Sequence, residues 1–218
     1  MSKEFFMLGD ESLVEPPCEE FDILDRTHTF ASEATASGFV TETILQFRNG
    51  KGCPESEFSM NAISYEQIKK GIAINNKAFQ VGGYGFLLSG KKNSYEEEVP
   101  LTVVAFTVME DWYNKDGIYV ITPCIVQLQC VMSGSPKKDP SVKLVSSFQW
   151  TDALSCLVEV FAKCNNYEGV GIMPADGNLS VGKSTNLTME RAKKIYDETA
   201  IRRNMESVNG LFYKQFKN

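Results

Sequence analysis

A change of pattern near residue 150 constrains the fold more than any other feature of this 218-residue chain. Before it, three apolar runs, Phe79–Ser89, Leu101–Met109 and Gly117–Met132, are separated only by short polar stretches at 90–98 and 114–117. Strands joined by so few residues pair antiparallel, because a parallel return needs a crossover of a dozen residues or more. Pro123 has no N–H to give to a ladder, so it predicts a bulge or an edge in the third run. After the Gly- and Pro-bearing loop 134–140, Val142–Trp150 reads as a fourth strand. Helix and strand then alternate. Thr151–Cys164 is amphipathic, with Leu154, Leu157, Val158 and Phe161 on one face. Gly169–Met173 is a short apolar strand. Thr188–Thr199 is a second helix with Met189, Ala192, Ile195 and Tyr196 inward, and Leu211–Phe216 is a last strand. An antiparallel meander followed by helix-strand-helix-strand is a mixed α/β arrangement.

The N-terminal third is less regular. Residues 1–25 hold eight acids against Lys3, more than the net charge of −6 of the whole chain, with Pro16-Pro17 in the middle. This segment reads as a poorly ordered acidic leader to a single domain spanning 26–218. An alternative is a docking arm for a basic protein partner, with Phe5, Phe6, Met7 and Leu8 adding apolar contact. Phe30–Arg48 is ambiguous between helix and strand. Ser64 and Gln67 form a capping box, which predicts a helix carrying Ile68, Ile72 and Phe79 on one face and stapled by Ile63. The acidic balance argues against sequence-blind binding of nucleic acid. The longest apolar stretch, Val99–Met109, is far shorter than the roughly 20 residues of a bilayer span. No basic region followed by an apolar one opens the chain, so a cytoplasmic location is expected.

Few residues carry chemistry. The six cysteines form no C-x-x-C pair and four lie in apolar segments, so neither a zinc site nor a disulfide framework is expected. The single histidine, His28, has no metal-ligand spacing and no G-x-S-x-G partner. Residues 177–184 fit G-x-x-x-x-G-K-[ST]: Gly177 and Gly182 would let backbone wrap a phosphate, Lys183 would reach its outer oxygens, and Ser184 would hold magnesium. However, only 34 residues follow Ser184, and the next helix begins at Thr188, past Lys183. A surface loop is the expected reading and a nucleotide-binding loop the alternative.

The segment Ala192-Lys193-Lys194-Ile195-Tyr196-Asp197-Glu198-Thr199-Ala200-Ile201 resembles the A-x-x-x-Y-E-x-x-G-F stretch that closes domains of the GNAT family of N-acyltransferases. The short strand before it, the basic-ended strand Leu211–Lys214 after it, and the preceding meander agree with that family's order over roughly residues 60–218. As sequence, the resemblance covers about ten positions. It implies a GNAT-like fold and acyl transfer from acetyl-CoA or another acyl-CoA to an amine. Tyr196 would be the general acid that protonates the departing thiolate, a task a phenol of pKa roughly 10 can perform. Read without the resemblance, a tyrosine four residues after Ala192 is a core residue. The family's Q/R-x-x-G-x-G/A phosphate loop has no counterpart, since Phe148–Leu154 contains no glycine. Asp152 also places a negative charge where a helix N-terminus would hold pyrophosphate. The expectations are therefore an acyltransferase, a catalytically degenerate copy, or a non-enzymatic assembly protein on the same fold that uses no cofactor. Glu98 and Glu110 are equal candidates for a general base.

Overall fold

The computed structural model of this chain describes residues 20–49, 57–64, 83–91, 98–130, 144–178 and 187–216. Residues 1–19, the helix expected after Ser64, and residues 179–186 lie outside them. The apolar runs do form a meander. Strands β1 (Glu57–Ser64), β2 (Tyr84–Lys91), β3 (Val99–Tyr113) and β4 (Tyr119–Cys130) pair antiparallel in succession. A short β5 (Gly169–Ile172) then lies parallel to β4, and β7 (Leu211–Gln215) pairs antiparallel with both β5 and the edge strand β6 (Glu206–Val208). The result is a mixed α/β fold on a seven-stranded sheet of order β1-β2-β3-β4-β5-β7-β6. A two-residue turn joins β6 to β7. Asn209 and Gly210 hold φ values of 47° and 83°, the left-handed pair that a tight hairpin needs.

Ser64 is the last residue of β1 and pairs with Tyr84, and the helix expected from its capping box lies outside the described residues. Phe30–Arg48 resolves into helices: α1 (Glu20–Ala36) takes in the end of the acidic leader, and α2 (Phe39–Gln46) follows a left-handed Gly38. These helices cover the outer edge of β1. Thr41 Oγ1 bonds both Phe58 N and O (3.0 and 3.2 Å), and Thr35 Oγ1 bonds both Met60 N and O (2.9 and 3.2 Å). Two hydroxyls thus stand in for a neighbouring strand and blunt an edge that would otherwise invite pairing.

The described part of the strand expected at Val142–Trp150, residues 144–150, is not a strand. Leu144–Ser146 make a helical turn, Phe148 forms a single bridge with Arg48, and α3 (Trp150–Cys164) begins at once. Val145 and Phe148, three apart, are both buried, which is helical spacing that the sequence pattern mimics as alternation. Pro123 stays in register with Val108, and the Thr122 hydroxyl beside it donates to Gly169 O at 3.0 Å. The bulge falls instead at Val126, skipped between Ile125 and Gln127, with a second irregularity where Glu110 and Asp111 oppose Ile121. The helix expected at 188–199 is two, α4 (Met189–Ile195) and α5 (Asp197–Arg202), broken at Tyr196. Met189, expected inward, is 43% exposed beside the Thr188 cap, whereas Ala192 and Tyr196 are buried.

The main core lies between the sheet and the helices. Phe161 of α3 is its hub, with ring centroids 5.3–5.6 Å from Phe30, Phe86 and Phe106. A smaller core contains Trp112, Val120, Cys124, Val126, Leu211 and Tyr213. Here Trp112 stacks against Tyr213 at 4.5 Å, and a Cβ on Gly169 would overlap the Tyr213 hydroxyl. Burial pushes the Cys124 thiol from 9.0 up to about 12, and burial with the nearby Glu168 charge pushes the Tyr213 phenol from 10.0 up to about 12. The unfolded chain loses both protons first. This stabilisation is therefore complete below pH 9 and is lost as pH rises toward 12. Thermal midpoints should be flat up to pH 9 and fall above it, with a shallower fall in Cys124→Ala.

Candidate functional site

Only two steps of parallel pairing join β4 to β5, Cys124 with Gly171 and Ile125 with Ile172, closed by Met173 N donating to Ile125 O at 2.9 Å. Beyond that point β5 ends while β4 runs on to Cys130, with its bulge at Val126. A strand that ends short of its neighbour leaves a notch where backbone groups of the longer one need other partners. A linear ligand arm carrying amides could supply them, which makes the notch the place to look for a site.

Side chains of the chain itself fill it. Asn178 Nδ2 donates to Val126 O at 2.9 Å, and Leu128 N donates to Tyr196 Oη at 3.3 Å. The two side chains also hydrogen-bond each other. Tyr196 is only 1% exposed and Asn178 5%. The break between α4 and α5 aims the tyrosine inward, and Asp197 fixes the opposite wall by accepting from Ala175 N at 2.9 Å. Burial raises the Tyr196 pKa, partly offset by the Leu128 N–H and Asn178. A phenol in this setting keeps its proton and is a weaker acid than one in water. Its hydroxyl is an acceptor for backbone, the role of a core residue. Tyr196→Phe should leave the Leu128 N–H buried without a partner and cost about 1–3 kcal/mol in urea unfolding.

The start of α3 is occupied as well. Asp152, 2% exposed, receives Arg202 Nε and Nη2 at 2.9–3.2 Å, while Arg202 Nη2 also reaches Thr151 Oγ1 and Thr199 Oγ1 at 3.3 and 3.0 Å. Asp152 is thus the anion that the helix dipole favours, and it carries its own counter-ion. Gln149 N donates to Phe47 O and Asn49 N to Ser147 O, which pins the approach to this helix against the end of α2. Two turns further along, Glu159 is held by Arg203 (2.8 Å) and Lys214 (2.9 Å), and Arg203 stacks over Phe47. Neither ion cluster stands out in the sequence, since 44 and 55 residues separate Glu159 from its two partners.

The other sequence candidates do not converge on Tyr196. Leu128 pairs with Val104, and exposed Glu98 and Glu110 lie six residues from Val104 in opposite directions, each about 20 Å along the strand. His28 is exposed on α1. Of the phosphate-loop match, Gly177 closes a turn onto Pro174 O and Asn178 is the notch plug, while Gly182, Lys183 and Ser184 lie outside the described residues. The four described cysteines, Cys124, Cys130, Cys156 and Cys164, are free thiols. Among the described residues no cluster of three His, Cys, Asp or Glu is arranged to hold a metal, and no helix is long and apolar enough to cross a membrane. No protein-family model matches the chain, and no curated protein sequence shows significant similarity to it.

Proposed function

We propose that this chain is a GNAT-like domain whose transfer notch is closed by its own side chains, and that it acts by binding another protein rather than by acyl transfer. The strand order, with β4 and β5 the one parallel pair among the described strands and a helix leading into the final antiparallel pair, supports the GNAT-like reading. The observation that carries the functional half is the pairing of Tyr196 and Asn178 with the β4 backbone. A pantetheine arm entering there would have to break both bonds and rotate a buried tyrosine out of the core. A pyrophosphate at the start of α3 would have to displace Asp152 from Arg202. The acidic leader, residues 1–19 of which lie outside the described residues, supplies charge for a basic partner.

Thermal-shift titrations with acetyl-CoA and with magnesium-ATP test this reading. A ligand binding only the folded state at a hundredfold excess over its Kd would add about 2.7 kcal/mol. Neither is expected to give a saturable shift. Saturable stabilisation by acetyl-CoA would overturn the proposal in favour of an acyltransferase with Tyr196 as its acid. Stabilisation by ATP that Lys183→Ala abolishes would instead establish the phosphate loop.

A further inference from the structure

Of the six large hydrophobic side chains exposed among the described residues, four lie on the β3–β4 hairpin: Tyr113 (42%), Ile118 (58%), Tyr119 (58%) and Ile121 (37%). Tyr113 and Tyr119 are direct cross-strand partners with ring centroids 3.7 Å apart. Ile121, two residues past Tyr119, lies on the same face of the strand. Trp112 and Val120 alternate to the other face and belong to the smaller core.

The hairpin is held firmly while it exposes these groups. Asn114 Oδ1 accepts from Asp116 N and Ile118 N (2.9 and 3.0 Å), and Asn114 N donates to Ile118 O at 2.9 Å. Trp112 Nε1 donates to Asn209 O, and Asn209 Nδ2 donates back to Tyr113 O at 3.0 Å, tying the arm to the β6–β7 turn. Aromatic groups fixed in advance lose little entropy on binding, which is the setting in which tyrosine contributes most at interfaces.

Charge indicates what the platform takes. Exposed Glu110 lies in the irregularity opposite Ile121, and exposed Asp116 sits at the tip. The turn's cation, Lys115, lines a separate cavity of about 550 Å³ with Glu206, Val208 and Tyr213. A second copy of the chain docked symmetrically on this small platform would add a second Glu110 and a second Asp116 to the same contact. We infer that the hairpin platform docks a protein segment that presents arginine or lysine beside aliphatic side chains. The cation would stack on the tyrosine rings and reach Glu110 or Asp116, while the aliphatic groups cover Ile118 and Ile121. This inference deepens the binding role proposed above.

The test titrates the full chain with a capped tetrapeptide alternating arginine and leucine, and with a counterpart alternating glutamate and leucine, following the tyrosine ring signals by NMR. The cationic peptide should bind about tenfold or more tightly, should weaken as salt rises, and should lose about tenfold in Tyr119→Ala. Glu110→Gln with Asp116→Asn should remove the preference between the two peptides. Equal affinity for both peptides, or an unchanged Kd in Tyr119→Ala, would overturn the inference. So would a concentration-dependent dimer in light scattering that Tyr119→Ala abolishes, because the occupant would then be a second copy. None of these outcomes depends on whether acetyl-CoA binds the notch, so the two readings can fail separately.

Discussion

Glu159→Gln is expected to destabilise the fold by about 3–5 kcal/mol, the usual loss when one partner of a buried ion cluster is removed. The Glu159 side chain is 5% exposed and the Arg203 side chain 15%, so neither is well screened by water. Burial works against the Arg203 charge, yet the hydrogen bond and charge of Glu159 raise its pKa above the ordinary arginine value. Glutamine keeps the shape and leaves Arg203 and Lys214 as neighbouring cations with no counter-charge. The cluster joins α3 to the end of α5 and to β7, three elements distant in sequence. Urea unfolding should show a lower midpoint at an unchanged slope. Adding Lys214→Met to the variant should recover part of the loss, since one unpaired charge then goes. A loss below about 1 kcal/mol would place the cluster with exposed ion pairs instead.

Phe161→Ala is expected to cost a similar amount, about 3–5 kcal/mol. The ring is fully buried and touches one aromatic side chain each from α1, β2 and β3, so no single element can move in to fill the space. Each aromatic pair adds roughly 0.5–1.5 kcal/mol beyond the area it buries. Phe161→Leu, which keeps most of the volume, should lose clearly less. Thermal and urea unfolding of both variants check the ranking.

How legible the molecule is from its sequence depends on how local each cause is. β2, β3 and β4, α3, β5 and β7 are set by short-range periodicity and short connections, and they lie within a few residues of their expected places, whereas β1 has no counterpart among the expected strands. Leu154, Leu157, Val158 and Phe161 are buried as their spacing implies. Where tertiary contacts compete with a local signal, the local signal loses. Val145 and Phe148 belong to a helical turn and the bridge after it despite an alternating pattern. Met189, the first helical residue after the Thr188 cap, faces water. The candidate site was half legible. Tyr196 stood out as a buried face residue, but its partners Leu128 and Asn178 are 68 and 18 positions away and carry no motif that points to it. Asp152 looked like an uncompensated charge because Arg202 is 50 residues on. The aromatic platform is not legible in the sequence, since Tyr113 and Tyr119 lie six residues apart and only the hairpin register makes them partners.

The amide of Leu128 reports directly on whether the notch is closed from within. Its hydrogen exchange and NMR shift should be followed in the native chain, in Tyr196→Phe, and in both with saturating acetyl-CoA. The expected result is a strongly protected amide in the native chain, faster exchange in Tyr196→Phe, and no response to acetyl-CoA in the native chain. A saturable acetyl-CoA shift of the Leu128 amide in the native chain would contradict this account, because the ligand would then hold the group assigned to Tyr196.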